Sequence, residues 1–189
     1  MKSSPKRYSM SHPVDLLPDV RIVAGGLFLL LMFLLPAAFG AESPSNAARK
    51  ADAVLIKKSE RKLYLMKNGK AFKDYQIALG KNPQGAKLFE GDDKTPEGDY
   101  VLDWRNNDSV YYKSIHISYP NKEDLAFAKV VGSYPGGNIM IHGIPDNPEY
   151  PAWLYVEFDW TDGCIAVTND AMDEIWVSVD EGTPIRILP

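Results

Sequence analysis

The amino-acid sequence predicts a mainly β domain with one or two helices. Short apolar runs are separated by turn residues, and Asn68-Gly69 between two of them is a strong hairpin signal. Apolar Tyr75, Ile77 and Leu79 alternate with polar or small residues, which is the period of a half-buried strand. Only the segment after position 168 shows a clear helical period of apolar residues.

The first 40 residues have the features of an export signal. Four basic side chains precede an apolar run, residues 22–39, and small residues follow at Ala38 and Gly40. The run is also near the ~20 residues that span a bilayer, so an uncleaved anchor formed by residues 22–40 is the alternative. We expect residues 1–40 to be a signal peptide or membrane anchor, residues 41–52 a linker, and residues 53–189 one domain.

Predicted strands and long loops alternate through the first two thirds of this domain. The strands lie within residues 54–80, 109–120 and 138–143, and loops rich in Gly, Pro and Asp or aromatics occupy residues 80–100 and 144–160. Alternation in the second strand segment places Tyr112, Ser114, His116 and Ser118 on one face, and Ile115, Ile117 and Tyr119 on the other. Such long loops in a compact domain are usually functional.

Two segments are predicted to be helical. Residues 122–132 have the length of a short helix. After the cysteine, Thr168 or Asn169 can cap a second helix. Its apolar stripe consists of Met172, Ile175, Trp176 and Val179. Residues 180–184 end this helix, and a last short strand follows around Ile185 and Ile187.

Charge and cysteine usage narrow the functional classes. Without the first 40 residues, 17 basic and 23 acidic side chains remain, a net charge of −6, whereas domains that bind nucleic acid are usually basic. The chain has a single cysteine, so it can form no internal disulfide. In an oxidising compartment an odd thiol is buried and inert, paired between chains, or reactive.

The single cysteine, Cys164, is a candidate nucleophile. A cysteine nucleophile needs a base to form the thiolate and donors to hold the oxyanion. His12 lies in the leader, so His116 and His142 are the candidate bases, and His142 stands at a predicted strand end. Gly163 allows close approach of a substrate, and the N–H groups of Gly163 and Cys164 are candidate oxyanion donors. A Cys–His pair of this kind can depress the thiol pKa by several units.

Simpler interpretations remain open from the residues alone. A cysteine beside Ile165 and Val167 also fits a small, buried and inert side chain, and a histidine at a strand end is often structural. A zinc site would need a carboxylate beside one cysteine and two histidines, and neither HExxH nor CxxC occurs. We expect no metal and no cofactor.

Five motifs occur in order between residues 53 and 188: KSERKLYLMKNGK, GDDKTPEGDY, SIHISYP, GGNIMIHG and WTDGCIAVTN. Their combination resembles the YkuD-type L,D-transpeptidases of bacterial cell walls. The resemblance implies a YkuD-like β-sandwich catalytic domain over residues 53–189. It also implies that the cysteine attacks a peptidoglycan stem at the bond between a diamino acid and the following D-alanine.

The resemblance assigns roles to individual residues. Cys164 matches the nucleophile, Gly163 the glycine before it, and Thr161 the family's Ser/Thr position. His142 matches the histidine that pairs with the nucleophile, and Gly143 the neighbour whose carbonyl orients the imidazole. We also place His116, Ser118 and Tyr119 beside the pocket as substrate contacts, with a role as ordinary strand residues as the alternative, and expect Thr161 and Asp162 to contact substrate.

The sequence departs from the common family pattern at three points. Asp162 stands where a histidine usually precedes the cysteine, and Ala166 stands where an arginine usually follows it. The gap between His142 and Thr161 is slightly longer than usual. An aspartate near the thiol would raise its pKa unless it faces a histidine.

The expected function is therefore cysteine-dependent L,D-transpeptidation in peptidoglycan biosynthesis, serving cell-wall organisation and cell shape. The acceptor would be an amine of a second stem or of a lipoprotein lysine. The alternatives are hydrolysis of the same intermediate, as a carboxypeptidase or amidase, and a non-catalytic peptidoglycan-binding module. We expect export to the periplasm or cell envelope, with inner-membrane association if residues 22–40 remain as an anchor.

Overall fold

The structure is a computed structural model that describes residues 49–189. Within them lie eight β-strands, two α-helices and one 3-10 helix. The strands are β1 (Ala53–Lys57), β2 (Lys62–Lys67), β3 (Lys70–Gln76), β4 (Gly98–Ser109), β5 (Tyr112–Ile117), β6 (Met140–His142), β7 (Ile165–Ala166) and β8 (Thr183–Leu188). The helices are α1 (Lys122–Val131), α2 (Asn169–Ser178) and the 3-10 helix Ala152–Val156. The prediction of a mainly β domain with one or two helices is confirmed.

All eight strands hydrogen-bond into one sheet in the order β3-β2-β1-β8-β4-β5-β6-β7. The C-terminal strand β8 lies inside the sheet, parallel to β1 and antiparallel to β4. Leu63 of β2 and Ile141 of β6 lie near opposite edges, yet both belong to one buried hydrophobic cluster with Met172 of α2. The sheet therefore wraps around its core rather than lying flat.

The predicted hairpin is confirmed, and the second strand segment needs correction. Asn68 and Gly69 connect β2 to β3 with φ of +51° and +72°, the left-handed pair that a type I′ turn requires. The prediction missed β4, because residues 80–100 were assigned to a loop and no strand was predicted immediately after them. The strand predicted from position 109 begins only at Tyr112, since Val110 and Tyr111 form a two-residue turn between β4 and β5.

Both predicted helices form, and capping explains where they begin. The Asn121 side chain caps α1, and the Asp124 carboxylate accepts the backbone N–H of Asn121 in return. Gly132 ends the helix in the left-handed conformation. The Thr168 side chain accepts the N–H of Ala171 at the start of α2, which selects Thr168 rather than Asn169 as the cap.

Residues 49–189 contain no helix that is long and apolar enough to cross a membrane. The predicted signal peptide or anchor, and residues 41–48 of the predicted linker, fall outside the described residues.

Candidate active site

Two short parallel strands bring the predicted nucleophile and base together. His142 is the last residue of β6, and Cys164 immediately precedes β7. The register pairs Ile141 with Ile165 and His142 with Ala166, so both functional residues lie at this edge of the sheet. They share a cavity of about 370 Å³. Its lining residues are Asn106, Asp108, Ser109, Val110, Tyr111, Ser114, Asn138, Met140, His142 and Cys164.

The His142 imidazole is buried and held in one tautomer. Its Nδ1 lies 2.7 Å from the Gly143 carbonyl oxygen, and because a carbonyl only accepts, Nδ1 carries the proton. Nε2 is then an unprotonated acceptor. Burial lowers the pKa of His142, and the bond to Gly143 opposes this effect only in part. The resting imidazole is therefore neutral and able to take a proton at Nε2.

Gly143 has no room for a side chain. A Cβ there would lie 2.4 Å from Asn169 Oδ1 and 3.0 Å from the Tyr111 carbonyl. Asn169 Oδ1 accepts the Ile144 N–H at 2.9 Å, which fixes the backbone directly after the carbonyl that orients the imidazole. The contact that the resemblance implies between Gly143 and His142 is present.

Two aromatic rings enclose the His142 imidazole. The Tyr111 ring lies 4.6 Å from it between centroids, tilted by 32°. The Trp160 ring meets it edge-on at 5.7 Å. Trp160 is fixed by its own Nε1–H, which donates to the Tyr155 carbonyl at 2.8 Å. These rings exclude water from much of the imidazole, which is the physical origin of its lowered pKa.

The Cys164 thiol is protonated at rest, which corrects the expectation of a depressed pKa. Burial raises the pKa of Cys164 and Asp162 adds to the rise, whereas a Met140 backbone hydrogen bond and Lys87 oppose it. The sulfur lies 3.6 Å from the Asn138 carbonyl, to which the S–H donates. The structure thus contains a neutral thiol beside a neutral imidazole rather than a thiolate–imidazolium pair.

The turn before the cysteine is built by Thr161 and Gly163. The Thr161 hydroxyl donates to the Cys164 carbonyl at 2.7 Å and accepts the Gly163 N–H at 3.1 Å. These two bonds use the hydroxyl to shape the turn. Because Thr161 is also only 4% exposed, the structure does not support the predicted substrate contact. Because the Gly163 N–H is already bonded, the Cys164 N–H is the better candidate oxyanion donor of the two.

The loop before β4 packs against this turn. The Lys81 N–H donates to the Thr161 carbonyl at 2.9 Å. Gly163 has φ of +135°, and a Cβ there would lie 2.7 Å from the Lys94 carbonyl. The loop is in turn organised by Asp92, which is buried against Lys87 at 2.7 Å. The loop therefore shapes the nucleophile's turn, and a functional role for it stays a prediction.

Asp162 points into solvent. Its carboxylate lies 2.6 Å from Lys81 Nζ, and its side chain is 81% exposed. The aspartate thus faces a lysine rather than His142 or His116. A contact between Asp162 and substrate remains a prediction.

The three predicted contacts from the β5 segment have different positions. His116 Nδ1 lies 2.7 Å from Asp103 and its ring stacks on Trp104 at 4.7 Å, outside the cavity lining. The Ser118 hydroxyl accepts the Val101 N–H at 2.8 Å. Tyr119 is 3% exposed and its hydroxyl donates to the Pro135 carbonyl, so it is a core residue and its assignment as a substrate contact was wrong.

Sequence reasoning missed several residues that shape the cavity. Tyr111, Ser114 and Asn138 contribute a covering ring, a buried hydroxyl and the acceptor for the thiol. Trp160 was included only in the long loop predicted over residues 144–160. Strand alternation could have identified Ser114, which shares a predicted face with His116, but no local signal marks Asn138.

The aromatic segment of residues 144–160 reaches the active site through Trp160, whose ring packs against the rings of Tyr111 and His142. Beyond Trp160 lies a second cavity of about 360 Å³ with no charged lining residue. It is lined by Tyr150, Leu154, Tyr155, Phe158 and Trp160. Among residues 49–189, no group of three or more His, Cys, Asp or Glu is placed to hold a metal ion.

Comparison with known proteins places this geometry in context. A sequence profile of the L,D-transpeptidase catalytic domain (YkuD) matches residues 51–187. YafK of Escherichia coli (strain K12), a candidate L,D-transpeptidase, is 36% identical over 131 residues, which cover 65% of this chain and 45% of YafK.

Two solved structures share the fold. The helical cell shape determining protein Pgp2 of Campylobacter jejuni is 30% identical with a TM-score of 0.55, over 71% of this chain and 46% of Pgp2. Bd1075 of Bdellovibrio bacteriovorus is 27% identical with a TM-score of 0.52, over 77% of this chain and 50% of Bd1075. The chain thus spans about half the length of these relatives.

Proposed function

The chain belongs to the L,D-transpeptidase catalytic-domain (YkuD) family, and on that premise we propose that it is a cysteine-dependent L,D-transpeptidase of peptidoglycan. The family acts on the peptide stems of peptidoglycan. The observation that carries the proposal is the tautomer of His142. Its Nδ1–H is committed to the Gly143 carbonyl, so Nε2 is free to accept the proton of Cys164 in the same cavity.

In the first step the Cys164 proton moves to His142 Nε2. Burial raises the pKa of the thiol and lowers that of the imidazole, so both groups favour their neutral forms at rest. Transfer is therefore expected with substrate in place, when the thiol turns from the Asn138 carbonyl towards His142. Because the thiol loses its proton only in the complex with substrate, it stays in the less reactive protonated form, and is protected from oxidation, between turnovers.

In the second step Cys164 Sγ attacks the carbonyl of the diamino acid. The S–C bond forms, the developing oxyanion accepts the Cys164 N–H, and the C–N bond to D-alanine breaks. His142 returns its proton to the departing amine, which leaves a neutral imidazole and a thioester.

In the third step a second nucleophile resolves the thioester. An amine of another stem gives a crosslink, a lipoprotein lysine gives an anchored protein, and water gives hydrolysis. In each case His142 takes a proton from the attacking group, the C–S bond breaks, and His142 returns the proton to the Cys164 sulfur, which restores the neutral pair. We propose transfer to an amine at the cell wall after export, and a role in cell shape by analogy with Pgp2.

Product analysis tests this proposal. The full chain and its Cys164→Ser variant are incubated with disaccharide-tetrapeptide fragments, and the products are identified by mass spectrometry. Dimers that lack one D-alanine, absent from the variant, would support transfer.

Other product patterns select the alternatives. Tripeptide without dimers would favour the hydrolase. No conversion of fragments, of added amines or of crosslinked sacculi would favour the non-catalytic binding module.

A further inference from the structure

We propose that Ser114 is a positioning residue whose hydroxyl accepts the Nε2–H of His142 once the imidazole has taken up the thiol proton. The inference rests on the proposed role of His142 as general base.

Ser114 is unusual on its own strand. On the face of β5 that carries Tyr112, Ser114 and His116, the other two side chains are partly exposed, whereas Ser114 is 1% exposed. Its Oγ is buried and has no hydrogen-bond partner. A buried hydroxyl without a partner destabilises the folded state, so its presence calls for an explanation.

The sheet register aims this hydroxyl at the active site. Ser114 pairs directly with His142 on β6 and with Asn106 on β4, which places the three side chains next to one another on one face. All three line the cavity that holds Cys164. Side chains of directly paired residues have Cβ atoms roughly 4.5–5.5 Å apart, so rotation of one Ser χ1 angle brings Oγ towards the imidazole.

Several groups in contact with His142 are already engaged elsewhere. Nδ1 is bonded to the Gly143 carbonyl, and the Cys164 S–H donates to the Asn138 carbonyl. The Tyr111 and Trp160 rings contact the imidazole with their π faces or edges. Within this set, the Ser114 hydroxyl is the neutral group that can both donate to an unprotonated Nε2 and accept from a protonated one.

This ability matters during the transfer of the proton. Once the thiol proton is on His142, Nε2–H can donate to Ser114 Oγ until the departing amine takes the proton. Hydrogen bonds to a charged partner are stronger than those to a neutral one, so Ser114 favours the imidazolium over the neutral ring. The other ionisable groups that face His142 are Cys164 and Tyr111, and Asp108 lines the same cavity.

The test compares Ser114→Ala with the matched control Ser178→Ala. Ser178 is also a buried serine, 7% exposed, but it lies on α2 away from the cavity lining. The readouts on the full chain are D-alanine release from a disaccharide-tetrapeptide, the NMR titration of the His142 imidazole nitrogens, and thermal unfolding. His142→Ala identifies the His142 signals.

Ser114→Ala is expected to lower kcat by roughly tenfold to a hundredfold with little change in KM. It is expected to move the His142 titration to lower pH and to raise the melting temperature, because an unpartnered buried hydroxyl is removed. Ser114→Thr, which keeps the hydroxyl, should restore the titration. Ser178→Ala should change neither kcat nor the titration.

An unchanged kcat and an unchanged titration in a more stable Ser114→Ala protein would overturn the proposal. The titration needs no substrate, so it judges Ser114 even if the chain releases no D-alanine. In that event the parent chain would release no more D-alanine than Cys164→Ser or His142→Ala, and the proposed function would fail independently of the result for Ser114.

Discussion

Replacement of Gly163 by alanine should disable the nucleophile's turn, and the structure sets the size of the effect. The added Cβ would lie 2.7 Å from the Lys94 carbonyl oxygen and 3.1 Å from Ile139 Cδ1. The φ of +135° is one that side-chain-bearing residues rarely adopt, which costs about 1–3 kcal/mol. Overpacking against backbone that cannot rotate away adds about 1–3 kcal/mol. We expect a total loss of about 2–6 kcal/mol in the free energy of unfolding.

The assay is urea unfolding of Gly163→Ala beside Gly182→Ala. Gly182 also has a positive φ, +87°, but a Cβ there meets nothing within 4 Å, so this control carries backbone strain without the collision. Gly163→Ala should lose clearly more stability than the control and should lose D-alanine release as the turn moves. Equal losses in the two variants would refute the view that the Lys94 carbonyl confines the turn.

Three further expectations concern ionisation and packing. Burial raises the pKa of Cys164, so the pH at which the rate of alkylation by iodoacetamide increases should be higher for the native chain than for the chain unfolded in urea. An increase at lower pH in the native chain would contradict a protonated resting thiol. Tyr111→Leu should let water reach the His142 imidazole. The NMR titration of His142 should then move to higher pH, because the burial that lowers the pKa of His142 is relieved. Burial alone would raise the pKa of Asp92, but three backbone N–H groups and Lys87 hold this pKa below its ordinary value. The ionised Asp92 therefore stabilises the fold at pH values above the pKa of the carboxyl group in the unfolded chain. This stabilisation is lost as the pH falls through the lower pKa of the folded chain. Asp92→Asn should therefore cost about 3–5 kcal/mol at neutral pH, and urea unfolding at low pH should show the gap from the parent narrowing.

Local signals in the sequence were sufficient for several elements. Asn68-Gly69 specified its hairpin because few other dipeptides adopt two left-handed residues at low cost. The residues alone left His116 and His142 as candidate bases, and the family resemblance selected His142, which shares a cavity with Cys164. Strand β4 escaped because its alternation of buried apolar residues stops at Leu102, and the mostly polar residues 103–109 that follow pair with β5 through two register shifts.

The site details that were missed depend on tertiary contacts. Thr161 was assigned to substrate because its type fits the family motif, but only the folded turn shows that its hydroxyl is used internally. Alternation had already placed Tyr119 on the face opposite His116, and that reasoning was the sounder guide to its burial. The resting charge of Cys164 follows from burial, which residue spacing does not report.

The most direct test of the central claim is the intact mass of the chain during turnover. The full chain is mixed with disaccharide-tetrapeptide, quenched in acid within seconds, and analysed by mass spectrometry with peptide mapping. A thioester on Cys164 whose mass equals that of the fragment less D-alanine, absent from Cys164→Ala, is the predicted result. D-alanine release that persists in Cys164→Ala, or turnover with no adduct on Cys164 at any quench time, would contradict a cysteine acyl-enzyme.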